Sequence, residues 1–112
     1  MLKKTEIIMS IVHVIAILLT KPGQRSAVLS IFNANIPTVL AEDGCIFYEA
    51  TIDAENAGQG KATFGPDTFV VVEKWSSMEA LKTHSSSTHM QAFSAATEDM
   101  MEKRTVHFLT PT

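Results

Sequence analysis

Residues 69–89 read FVVVEKWSSMEALKTHSSSTH, and this stretch decides the fold. Its first part is a strand in which alternation puts Phe69, Val71, Glu73 and Trp75 on one face and Val70 and Val72 on the other. Ser76, Ser77, Met78 and Glu79 match a capping box, in which the first serine accepts from a free helix amide and Glu79 reaches back. A short helix is expected to begin at Ser77. Serine and threonine hydroxyls at residues 85–88 compete for backbone hydrogen bonds and weaken it. His84 closes that helix and His89 opens the next.

Upstream, residues 11–18 are dominated by Val and Ile, which are stiff at χ1 and suit a pleated, buried strand. His13 shares a face with Ile11, Ile15 and Ile17, and a lone histidine there is read as a core or interface residue. Thr20, Lys21, Pro22 and Gly23 give turn chemistry. Val28, Ile31, Phe32, Ile36, Val39 and Leu40 then recur at three- and four-residue steps, so residues 24–41 form an amphipathic helix kinked at Pro37. Gly44 suits a left-handed cap. Residues 45–52 read as a second strand with Ile46, Tyr48, Ala50 and Ile52 on one face and Phe47, Glu49 and Thr51 on the other. The polar, Gly-rich residues 53–67 are a long connection, read either as a mobile flap or as partly folded back into strand extensions, with residues 62–64 the candidate extension of the third strand.

Downstream, Met90, Phe93, Ala96 and Met100 line one side of another helix, and residues 105–110 read as a fourth strand. The order β-α-β-β-α-β points to an α+β, ferredoxin-like antiparallel sheet with two helices on one face. The other face needs a cover, so a homodimer is expected. Residues 11–112 are read as a single domain preceded by an extension, residues 1–10.

A chain of 112 residues with 46% apolar and 19% charged residues suits one packed domain, and a net charge of -3 lacks the basic patch of a nucleic-acid binder. The single cysteine, Cys45, has no disulfide partner within the chain, which favours a cytoplasmic setting. Lys3 and Lys4 before the apolar residues 7–19 imitate a signal peptide. The run lacks a small-x-small cleavage site and is too short to span a bilayer, so a buried strand is preferred and no membrane partner is expected.

Across the break in the second helical region, both imidazoles can turn toward one cavity, which makes His84 and His89 candidates for acid–base work. Each also has a plain reading as a cap or surface residue. No metal is expected, because His-x4-His across a helix break lacks one-face geometry and no carboxylate stands beside it in sequence. Glu73 on an apolar strand is costly unless paired, so it either pairs with a cation such as an Arg or Lys of a partner chain, the preferred role, or acts in the pocket. Trp75 and Tyr48 offer flat surfaces for a planar ligand, or are simply core. Asn33 and Asn35 lie near backbone freed by Pro37.

These features together resemble the antibiotic-biosynthesis monooxygenase family and its quinol monooxygenase branch. The resemblance rests on Lys21, Pro22, Gly23; on PTVLAEDGCIFY at residues 37–48; on Phe69, Val70, Glu73 and Trp75; and on Glu79, Ala80, Leu81, His84, His89 and Phe93. It implies a dimeric α/β barrel whose pocket, in some members, oxidises quinol or polyphenol-like substrates with O2 and without cofactor. His84 is then the catalytic base. Trp75, Tyr48, His89, Asn33, Asn35 and Phe93 would bind a small aromatic or carbonyl substrate, while Glu73 and His13 are structural or interface residues. Heme-degrading relatives look for an Asn on the first strand and a His on the second helix; residues 11–20 hold no Asn and the helix after Met90 holds no His. The alternatives are an isomerase of a small phosphorylated carbonyl compound and a non-catalytic dimeric binding or stress-response module.

Overall fold

The computed structural model describes residues 3–112 of the chain. Its elements are α1 (Lys4–Ser10), β1 (Val12–Thr20), α2 (Arg25–Leu40), β2 (Cys45–Thr51), β3 (Thr68–Trp75), α3 (Met78–Ser85), α4 (Thr88–Thr97), a 3-10 turn (Glu98–Met100) and β4 (Met101–Leu109). The four strands form one antiparallel sheet in the order β2-β3-β1-β4. This is the expected ferredoxin-like arrangement.

Alternation along β1 and β3 divides the sheet into two unlike faces. Val12, Val14, Ala16 and Leu18, with Phe69, Val71, Glu73 and Trp75, are buried beneath the helices. Val28, Phe32 and Val39 from α2, Leu81 from α3 and Phe93 from α4 close over them to make the core. The opposite face carries His13, Ile15, Ile17, Leu19, Val70 and Val72, all only half-buried. Both faces of β1 are apolar, but helices cover only one.

Several boundaries depart from the sequence reading. The apolar run at residues 7–19 is not one strand: α1 ends at Ser10, whose hydroxyl donates to the Ser76 carbonyl, and β1 starts at Val12. Of the extension at residues 1–10, the first two lie outside the described residues. On β2 a bulge between Cys45 and Phe47 interrupts the alternation. Cys45 therefore faces Trp75 and packs on the core, while Ile46 is 50% exposed. Residues 62–64 form no strand; Asp53 instead accepts from the Phe64 and Gly65 amides and closes the connection on itself.

The capping serine is Ser77, not Ser76. Its hydroxyl accepts from the Ala80 amide at 3.1 Å, so Glu79 falls one position too early to complete a box. α4 begins at Thr88, which brings His89 inside a helix, and β4 begins at Met101 rather than Thr105. The polar run Glu102, Lys103, Arg104 resembles a helix end in sequence but occupies the exposed edge of the sheet.

Candidate functional site

The site is organised by the break between α3 and α4. Ser87 caps α4 by accepting from the Met90 amide at 3.4 Å, and its own hydroxyl donates to the His84 carbonyl at 2.7 Å. One side chain thus satisfies both helix ends and fixes the two histidines relative to each other. Leu81 and His84, three residues apart, share the inward face of α3 and are both buried.

The third member of the cluster comes from the turn after α2. Gly44 has φ +83, and a Cβ on it would lie 2.6 Å from both Ala80 Cβ and Ser76 Oγ. Only glycine allows so close an approach to α3, and the Ser76 amide donates to the Gly44 carbonyl at 2.8 Å. This contact delivers Glu42 to the histidines. His84 Nδ1 lies 2.7 Å and His89 Nε2 3.1 Å from the same oxygen, Glu42 Oε2.

Hydrogen-bond accounting fixes the tautomers. A carboxylate only accepts, so His84 Nδ1 carries hydrogen, and in the neutral ring the lone pair is on Nε2. Ser87 Oγ spends its hydrogen on the His84 carbonyl and so accepts from His89 Nε2 at 3.2 Å. His89 Nε2 is accordingly the N–H, shared between Ser87 and Glu42.

The His84 ring lies between two aromatic neighbours, with Trp75 at 4.6 Å and Tyr48 at 5.6 Å between centroids. Trp75 Nε1 donates to Glu73 Oε1 at 2.8 Å. Within this chain Glu73 is held by the indole; among the described residues, the salt bridges are those of Glu42 with the two histidines. Burial raises the Glu73 pKa above its ordinary value, an effect the Trp75 bond, His84 and Arg104 oppose. Burial, with help from Glu73 and Glu42, also holds the Tyr48 hydroxyl well above the usual tyrosine range, so it remains a neutral phenol.

These groups border a cavity of about 250 Å³ between the sheet and the helices. Phe32 stacks on Tyr48 at 5.2 Å and meets Phe93 edge-on at 5.9 Å, forming an aromatic wall. Among the described residues, His84 Nε2, the Tyr48 hydroxyl and the second Glu73 oxygen have no protein partner. No sealed side-chain nitrogen or oxygen is left unpaired among the described residues, so all three open to the cavity or to solvent. Arg104, Val106 and Phe108 of β4 form the remaining side, where each is exposed.

The cavity gathers His84, Tyr48, Phe93 and Glu73 from the sequence candidates. Trp75 is fully buried behind His84 and does not line it, so its role is to support the imidazole and Glu73. His89 and Asn35 lie instead in a shallow groove between α2 and α4, where Asn35 Nδ2 faces Met90 Sδ at 3.8 Å. Asn33 is exposed on α2, and His13 sits on the open sheet face opposite Lys74 and Leu109. Sequence reasoning missed Glu42, Phe32 and Arg104. Glu42 stands in sequence beside the Gly44 cap, Phe32 in the apolar stripe of a helix, and Arg104 between the helix and strand readings with no role assigned.

The profile of the family described as antibiotic biosynthesis monooxygenase matches residues 11–96. The chain is 38% identical over 100 residues to the Probable quinol monooxygenase YgiN of Escherichia coli, covering 88% of this chain and 95% of that one. Among solved structures it resembles Rv0793 from Mycobacterium tuberculosis, with TM-score 0.75, 29% identity and coverage of 92% and 96% of the two chains. A putative antibiotic biosynthesis monooxygenase from Nitrosomonas europaea has TM-score 0.77 at 16% identity, covering 91% of this chain and 90% of that one, a likeness of fold alone.

Proposed function

This chain belongs to the antibiotic biosynthesis monooxygenase family, and from that premise we propose that it oxidises a quinol or polyphenol-like substrate with O2, His84 acting as the base. The observation that supports this reading is the His84 geometry: Nδ1 is tied to Glu42 at 2.7 Å, and His84 borders an aromatic-walled cavity with Nε2 unpaired. The Glu42 bond orients the ring and stabilises the imidazolium that forms when Nε2 takes a phenolic proton. Phe32, Tyr48 and Phe93 would hold the ring of the substrate, and Tyr48, as a neutral phenol, would donate to one of its oxygens.

The electrons balance with substrate and O2 alone. A quinol that gains one oxygen atom at a ring carbon and leaves as the hydroxyquinone gives up four electrons; the second oxygen atom leaves as water. Deprotonation by His84 is what makes the aromatic ring electron-rich enough to reduce O2. Oxygen uptake with a panel of quinols and anthrone-like phenols tests the reading. His84→Ala should lower the rate by about 100-fold or more; equal rates for the two proteins would remove His84 from the mechanism. Arg104 at the open side lends some support to the isomerase of a phosphorylated carbonyl compound, since that reaction needs a cation for its anion. Turnover of such a compound with no oxygen uptake on any phenol would favour it.

We also propose that a second copy of the chain covers the half-buried sheet face and the exposed Val106, Phe108 and Leu109 of β4. Sedimentation should give a dimer; a monomer at every concentration would defeat this.

A further inference from the structure

The cluster behind His84 holds more than a proton relay requires. Glu42 Oε2 takes two imidazole N–H groups at 2.7 and 3.1 Å, and one ligand atom from each of Glu42, His84 and His89 lies within 4.8 Å of the others. The three side chains come from the α2–β2 turn, the end of α3 and the first turn of α4, so the chain has converged them from three segments. We propose that Glu42, His84 and His89 form a binding site for a divalent transition ion of the zinc type, and that the ion shuts off the base in the cavity. The second half of this proposal rests on the function read above; the first does not.

Two imidazoles and one carboxylate match the donor set that zinc accepts with water in a fourth position. Zinc sits about 2.0–2.2 Å from such ligands, which puts neighbouring ligand atoms about 3.3 Å apart in a tetrahedron. The observed 2.7 and 3.1 Å gaps to Glu42 need to open by about 0.2–0.6 Å, and the two imidazole nitrogens, which lie within 4.8 Å of each other, move together around the ion. Side-chain exposure rises from 5% at His84 through 15% at Glu42 to 24% at His89, so an ion enters past His89, from the side away from the cavity.

Coordination works through a tautomer exchange. To bind through Nδ1, neutral His84 must carry its hydrogen on Nε2, and His89 must likewise move its hydrogen to Nδ1. No proton leaves either ring. His84 Nε2 is then an N–H and has no lone pair with which to take a substrate proton. The ion would also bridge three segments of the folded chain and so raise its melting temperature.

Isothermal titration of the full chain with ZnCl2, monitored also by thermal melting, tests the site. The expected result is a single ion bound per chain with a rise in melting temperature. Glu42→Gln and His89→Gln, each checked for native circular dichroism, should weaken binding by about 100-fold or more, since even outer-shell partners of metal sites account for 10–100-fold. Absence of binding to the unaltered chain, or an affinity in both variants equal to that of the unaltered chain, overturns the site whatever the reaction turns out to be. In oxygen-uptake assays, zinc should inhibit the unaltered protein and have at least ten-fold less potency against His89→Gln, each rate being normalised to that protein without metal. Equal inhibition of both would mean that zinc acts from the cavity, through His84 Nε2 and Glu73, and would overturn the proposed coupling.

Discussion

The two sides of the cavity are built differently. On the β3–α3 side, the ionisable side chains are each anchored by a hydrogen bond: Trp75 holds Glu73, Glu42 holds His84, and Ser87 ties His84 to His89. On the β4 side, Arg104, Val106 and Phe108 are exposed, and none of the described residues packs over them. The difference teaches that this chain completes the orienting half of its site by itself. The other half, along β4, is left exposed by the described residues.

The sharpest way to break this comparison is to truncate one large aromatic on each side. Trp75→Ala should cost about 3–5 kcal/mol in denaturant unfolding, because it empties the core and removes the donor that holds Glu73. Phe108→Ala, at a residue 51% exposed, should stay within about 0.5 kcal/mol in the monomer. Similar costs for both would show that the β4 side is already covered in solution. Gly44→Ala should follow with a loss of about 1–3 kcal/mol, since the new Cβ meets Ala80 and Ser76 at positive φ. Because the same turn places Glu42, oxygen uptake should fall with it; unchanged activity would detach Glu42 from the orienting side.

A smaller effect should appear in the pH dependence of stability. Glu73 has a raised pKa in the folded protein, so the folded state binds its proton more tightly than the unfolded chain does. Its contribution therefore declines as pH rises from the ordinary value of 4.5 through the raised folded value, and is level above it. Glu73→Gln keeps an acceptor for Trp75 and should flatten that decline in thermal melts across the acidic range; an unchanged slope would place the titration elsewhere. The smallest effect concerns Cys45, whose thiol is pushed up to about 11, chiefly by burial with help from Glu42 and Glu73. At pH 8 it should alkylate about 100-fold more slowly than the same cysteine in denaturant. Equal rates would show that the β2 end of the orienting side is open.

Much of the fold was legible because it follows from periods that single segments display. The alternation of β3 from Phe69 to Trp75 was readable residue by residue, and the structure keeps it without a slip. The same reasoning failed on β2, where one bulge moves Ile46 outward, and at the start of β4, where polar residues on an exposed edge look like a helix end. A bulge and an edge position are set by the neighbouring strand, so the segment itself carries no sign of them.

The candidate site shows the same division. The run of hydroxyls at residues 85–88 marks the helix break in sequence, whereas the caps themselves, Ser77 and Ser87, were settled by the structure. The sequence by itself therefore determined the element order, the buried face of β3 and the position of the helix break. Only the tertiary structure decided that Glu42, 42 residues from His84 and 47 from His89, is the partner of both, and that Trp75 supports the site instead of lining it. The reason is physical. Hydrogen-bond and cap preferences act between neighbours in the chain, whereas the Glu42 contact depends on a glycine turn meeting a helix, and that meeting exists only after the sheet has brought both ends together.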